Sequence, residues 1–146
     1  GGRLPPLRDS GTFEHLLEWV GERDYMAFMA FVEQTPELDK AFANLRETLL
    51  KKRKLTTTLG YGPRFLHSTG QLHKGGADNG LFVQITADPT EDLQIPGAPY
   101  TFGMLAASQA LGDFEALQAR RRRAIRIHVP KGESVLERIR EITTKV

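Results

Sequence analysis

Tyr25-Met26-Ala27-Phe28-Met29-Ala30-Phe31-Val32 is apolar at every position. A half-exposed strand alternates polar and apolar residues. An amphipathic helix shows a polar stripe every third or fourth residue. This run does neither, and polar residues bound it on both sides. It therefore reads as a strand buried on both faces, the kind found inside a parallel sheet whose crossover helices cover both sides.

The flanking segments supply those helices. Upstream, Thr12 is placed to cap a helix with Phe13, Leu16, Leu17 and Val20 on one face, and Gly21 closes it. Downstream, Thr35-Pro36 combines a capping hydroxyl with a first-turn proline. Leu38, Ala41, Phe42, Leu45 and Leu49 then recur at helical spacing and end in Lys51-Lys52-Arg53-Lys54. Leu55 to Leu59 is short and β-branched, which predicts a strand, and Gly80 to Thr86 predicts another. Residues 87–99 contain three prolines and predict an irregular crossing. Thr101 starts a helix to Leu111, which Gly112-Asp113 is expected to interrupt. Asp113 then caps a further helical stretch with Phe114 and Leu117. Ala124 to Val129 alternates, as a strand near a sheet edge does. Ser134 precedes a last helix with Val135, Leu136, Ile139 and Ile142 turned inward. The alternation of strands and helices predicts an α/β three-layer sandwich with a mostly parallel sheet of four or five strands. Residues 1–11 read as a Gly/Pro-rich lead-in, and residues 12–146 as a single α/β domain.

Composition narrows the function classes. The chain has 146 residues, 40% hydrophobic and 26% charged, with no cysteine and a net charge of +2. Disulfides and thiolate metal sites are excluded. No apolar run reaches the ~18 residues of a membrane span, and no signal peptide is recognisable; both fit a cytoplasmic protein with no membrane partner. The basic clusters at 51–54 and 120–123 each follow a predicted helix, where cations complement the dipole. No aromatic residue interleaves them, so nucleic acid is not the expected partner.

Chemistry concentrates in Leu59 to Gly76, LGYGPRFLHSTGQLHKGG. It holds His67 and His73, Arg64, Lys74, Gln71, two hydroxyls and five glycines. Too many glycines and too few periodic apolar residues exclude a core helix. The segment predicts a long loop leaving a strand at the carboxyl edge of the sheet, where ligands bind in open α/β folds. Glycines permit close backbone approach, and the cations suit an anionic, hydroxyl-rich ligand. His67 suits proton transfer near neutral pH. His67 and His73 have no third partner, so no metal site is expected. Asp88, Glu91 and Asp92 form a carboxylate group with no tie to the loop. His15 and His128 read as surface or strand-face groups. The phosphate-loop, dinucleotide and nucleophile-elbow motifs are missing from the sequence.

His67-Ser68-Thr69-Gly70-Gln71 resembles the histidine motif of glucose-6-phosphate isomerases. The wider blocks TTLGYGPRFLHSTGQLHKGG, GLFVQIT, IPG, YTFG and QALGDFEAL, in that order, resemble the isomerase part of bifunctional transaldolase/glucose-6-phosphate isomerase proteins. The similarity runs from about Thr12 to Val129. It implies a C-terminal sugar-isomerase (SIS, flavodoxin-like) subdomain and interconversion of glucose 6-phosphate and fructose 6-phosphate, with no metal or organic cofactor. By that resemblance His67 opens the sugar ring, and a glutamate elsewhere moves the proton between C1 and C2. Ser68 and Gln71 position the histidine or the sugar. Arg64 and Lys74 are added as substrate-binding candidates from their charge and place in the loop.

The family's base glutamate, its Gly-Gly-Arg signature and its phosphate cradle belong to upstream segments. The chain is therefore expected to be the C-terminal part of a longer enzyme, inactive alone. Its implied partners are a hexose 6-phosphate, the rest of the parent isomerase or transaldolase chain, and a second subunit in a homodimer. The zone from Tyr100 to Gln109, YTFGMLAASQ, lacks the lysine that assists ring opening in the family. A non-catalytic sugar-phosphate-binding module, or an assembly domain on the same fold, is the alternative.

Overall fold

A computed structural model describes residues 10–18, 20–62, 80–88, 96–97, 102–119 and 123–146. The elements run α1 (Ser10–Glu18), β1 (Tyr25–Phe31), α2 (Pro36–Arg53), β2 (Thr56–Tyr61), β3 (Gly80–Ala87), α3 (Phe102–Ala119), β4 (Arg123–Val129) and α4 (Val135–Thr144). The strands form one sheet in the order β2-β1-β3-β4, and every pairing is parallel. The sandwich expected from the alternation is present. The all-apolar run is the inner strand β1, buried from Met26 to Phe31.

Alternation along the strands divides the core in two. On one face Met26, Phe28, Leu81, Val83, Ile85, Ile125 and Ile127 pack against α1, α2 and α4, through Phe13, Leu16, Phe42, Leu45, Ile139 and Ile142. On the other, Ala27, Met29, Phe31, Phe82 and Ala124 meet Ala110 and Phe114 of α3. Fully burying one Phe or Leu side chain is worth about 1.5–3 kcal/mol, so each buried ring or branched side chain on either face counts heavily.

Local chemistry sets the element ends. Thr35 caps α2 by accepting from the Leu38 N–H, and Pro36 opens the helix. Lys54 ends it in the left-handed region, at φ 53°, with its N–H on the Leu50 carbonyl and the Leu55 N–H on the Leu49 carbonyl. Ser134 caps α4 through the Glu137 N–H. The alternating strand β4 lies at a sheet edge, as its pattern predicts.

Three local expectations need correction. α1 begins at Ser10, so Thr12 lies inside the helix and not at its cap, and the lead-in is shorter than residues 1–11. β2 runs from Thr56 to Tyr61, so Gly60 and Tyr61 belong to the strand and not to the loop. Parallel pairing with β1 continues through the Gly62 N–H to the Ala30 carbonyl at 2.8 Å, which holds this glycine-containing end extended. Finally, α3 passes unbroken through Gly112-Asp113. Ala110 and Phe114, one turn apart, both enter the core, and that anchorage outweighs the ~1 kcal/mol glycine penalty.

Candidate functional site at the carboxyl edge of the sheet

The chain leaves β1 outward to β2 on one side and passes from β3 outward to β4 on the other. The reversal lies between β1 and β3, and the crevice beyond their carboxyl ends is where ligands bind in such sheets. His67, Arg64, Ser68, Gln71 and Lys74 follow Gly62 in the sequence, just past the end of β2. They lie outside the described residues, as do His73, Glu91 and Asp92.

Two described clusters line the same edge. At the ends of β3 and β4, His128 Nδ1 is 2.8 Å from Thr86 Oγ1, and its Nε2 is 3.0 Å from Asp88 Oδ1. Asp88 Oδ2 also accepts the Lys131 N–H at 3.1 Å, and the Asp88 N–H donates to the Val129 carbonyl. Thr86 and His128 are direct partners in the β3–β4 register, so strand pairing itself sets this contact. Hydroxyl, imidazole and carboxylate form one chain, with His128 and Asp88 each about half exposed. With Asp88 ionised, Nε2 carries a proton, and Nδ1 accepts from the Thr86 hydroxyl or, once protonated, donates to it.

At the end of β2, Tyr61 donates to Asp39 Oδ1 at 3.0 Å, while Gln34 Nε2 donates to both Asp39 oxygens. Tyr61 is half-buried and packs edge-on against Phe42. Burial, and then the neighbouring Asp39, push its phenol well above the ordinary value, so it stays a hydrogen-bond donor.

Behind the first cluster lies a buried amide. Gln84 is fully buried, donates Nε2 to the Ala110 carbonyl at 2.7 Å and accepts from Arg126 Nε at 2.8 Å. The Arg126 guanidinium covers the Phe114 ring, with Cζ 5.2 Å from the centroid. Gln84 and Thr86 share a face of β3, and Arg126 and His128 share the paired face of β4. These side chains form a polar ladder within an otherwise apolar layer.

Sequence reasoning missed this ladder. Its signals were Gln84 within the apolar run LFVQI, and Arg126 and His128 as the polar positions of the alternating strand. Asp88 meets His128 across the strands, while Glu91 and Asp92 of the expected carboxylate group lie outside the described residues. His15 is exposed on α1, in keeping with a surface role. The groove bounded by Arg46, Glu47, Leu50, Leu55 and Thr57 lies at the amino end of β2, away from this edge.

Among the described residues, no helix is long and apolar enough to cross a membrane. No family model matches the chain. No curated protein matches it either. A solved structure described as hypothetical protein TT0462 from Thermus thermophilus is similar, with a TM-score of 0.74 at 20% identity. The match covers 92% of this chain and 38% of that one. This chain therefore spans well under half the length of that protein, and likeness at such low identity establishes the α/β fold alone.

Proposed function

We propose that the chain is the C-terminal sugar-isomerase domain of a glucose-6-phosphate isomerase, supplying His67 as the ring-opening group. The observation that carries this reading is the ordered set of sequence blocks around His67-Ser68-Thr69-Gly70-Gln71. The all-parallel sheet with its reversal between β1 and β3 is compatible with it, and the His67 segment follows the carboxyl end of β2 in the sequence. In this reading His67 exchanges a proton with the ring oxygen of a bound hexose 6-phosphate. Ser68 and Gln71 orient the imidazole or the sugar, and Arg64 and Lys74 attract the phosphate. The base and the main phosphate site come from upstream parts of the parent chain, with or without a transaldolase. A homodimer in the cytoplasm completes the picture, and no cofactor is needed.

The test is His67→Ala in the full-length parent. Turnover of cyclic glucose 6-phosphate should fall by ~10²–10⁴-fold, as for loss of a general acid/base. The loss should be smaller with substrate supplied in its open-chain form. Undiminished turnover of the cyclic substrate would remove His67 from the mechanism.

The missing lysine in YTFGMLAASQ favours a second reading, a module that binds a sugar phosphate without converting it. Saturable heat of binding for fructose 6-phosphate on this chain, with no isomerisation by the full-length parent, would select that reading.

A further inference from the structure

Two arginines of β4 are treated in opposite ways. Arg123 is paired with a carboxylate, its Nη1 and Nη2 lying 2.8 and 3.0 Å from Asp24. Arg126, three residues on, is half-buried, and no described carboxylate lies within ion-pair reach of it. Burial alone lowers its pKa, since it disfavours the charged form. Such a charge is costly unless something answers it.

The guanidinium is nevertheless fixed in place. Gln84 Oε1 holds Nε, and Gln84 is itself locked by the Ala110 carbonyl. The plane of the group is supported by the Phe114 ring. Among the described residues, Nη1 and Nη2 have no hydrogen-bond acceptor. What remains is a pre-oriented two-donor edge, the geometry that matches a carboxylate or phosphate. Thr86 and His128 lie two residues nearer the carboxyl edge on the same face, adding a hydroxyl and an imidazole beside it.

We propose that Arg126 anchors an oxyanion-binding site on the α3 face of the sheet, taking the carboxylate or phosphate of a small ligand through two N–H···O bonds from Nη1 and Nη2. Gln84 and Phe114 are positioning residues that keep the fork ready. The site stands on these side chains and does not depend on the role given to His67.

The test follows the Arg126 Nε–H resonance by ¹⁵N NMR while the whole chain is titrated with inorganic phosphate, and separately with acetate, at ionic strength held constant with sodium chloride. A saturable shift with at least one of the two anions is expected. Phosphate alone identifies a phosphate site, acetate alone a carboxylate site, and each supports the proposal. Arg126→Lys keeps the charge but loses the fork, and should weaken binding, read from backbone amide shifts, by about tenfold or more. Arg126→Gln should abolish it. Arg140→Gln, on an exposed arginine of α4, should leave it unchanged. Linear shifts with both anions, or undiminished affinity in Arg126→Lys, would overturn the site. If Arg126→Gln does not fold, the wild-type titration and the lysine variant decide the matter.

Discussion

Asp24, at the foot of β1, and Arg123, the first residue of β4, meet in a two-bond fork at 2.8 and 3.0 Å although β3 lies between their strands. Both side chains are largely buried, at 12% and 16% exposure. Asp24 Oδ2 also accepts the Gly21 N–H at 2.6 Å, so the fork ties the turn after α1 to the far edge of the sheet. Three strands are thereby held in register at their amino ends, on the side opposite the candidate site. A parallel sheet has no hairpins to fix its registers, and this clamp supplies part of what a hairpin would.

Asp24→Asn should therefore destabilise the chain by about 2–3 kcal/mol, because a partly buried guanidinium loses its charge partner. The Arg123 hydrogen bond, opposed by burial and aided by Gly21, holds the Asp24 carboxyl below its ordinary 3.8. A depressed carboxyl contributes stability that is fully present above its unfolded value and is lost as pH falls through the folded one. Denaturant unfolding as a function of pH should show an acid-side loss in the wild type that is smaller in Asp24→Asn. Parallel curves would show that the fork does not couple to folding.

Gly80 begins β3 beneath two rings. A Cβ there would lie 2.8 Å from the Phe82 ring and 2.9 Å from the Tyr25 ring, which pack edge-on against each other. Gly80→Ala must displace buried Phe82 or half-buried Tyr25, and overpacking of this kind costs about 1–3 kcal/mol. Thermal unfolding should show the loss, and Phe82→Leu in the same chain should relieve part of it. Wild-type stability in Gly80→Ala would mean that the rings move freely.

The sequence made legible whatever depends on local periodicity. The unbroken apolar run of β1, the Leu38/Phe42/Leu45/Leu49 stripe and the Thr35-Pro36 start each state their structure within a single segment. Cross-strand chemistry was not legible in the same way. Gln84 and Arg126 are 42 positions apart, as are Thr86 and His128, and they meet only once β3 and β4 pair in one particular register. A glutamine inside LFVQI signals a buried amide that needs partners, but not which partners. The residues chosen at 64–74 rested on composition and resemblance, and they lie outside the described residues. The carboxyl-edge groups Thr86, Asp88 and His128 came from topology instead.

Gln84→Leu tests how much the ladder matters to the fold. It leaves Arg126 Nε without its acceptor in a part-buried setting, which should cost about 1–3 kcal/mol in denaturant unfolding. Combining it with Arg126→Leu removes both polar partners. The double mutant should then be less destabilised than the two single losses added together, by about 1 kcal/mol. Strict additivity would mean that the two side chains do not hold each other.

The continuity of α3 gives the most direct test of a place where local signals and tertiary packing disagree. Gly112-Asp113 reads in isolation as a helix end followed by a new cap. If that reading were right, Gly112 would sit at a terminus, where alanine brings little gain or some strain. In the structure Gly112 is mid-helix and exposed, and nothing lies within 4 Å of an added Cβ. Alanine then removes the entropic penalty of glycine and meets no obstacle. Gly112→Ala should accordingly stabilise the chain by about 1 kcal/mol, seen as a higher denaturation midpoint with an unchanged m-value. A destabilising outcome would restore the break between Leu111 and Asp113, and would place Ala110 and Phe114 on separate helices.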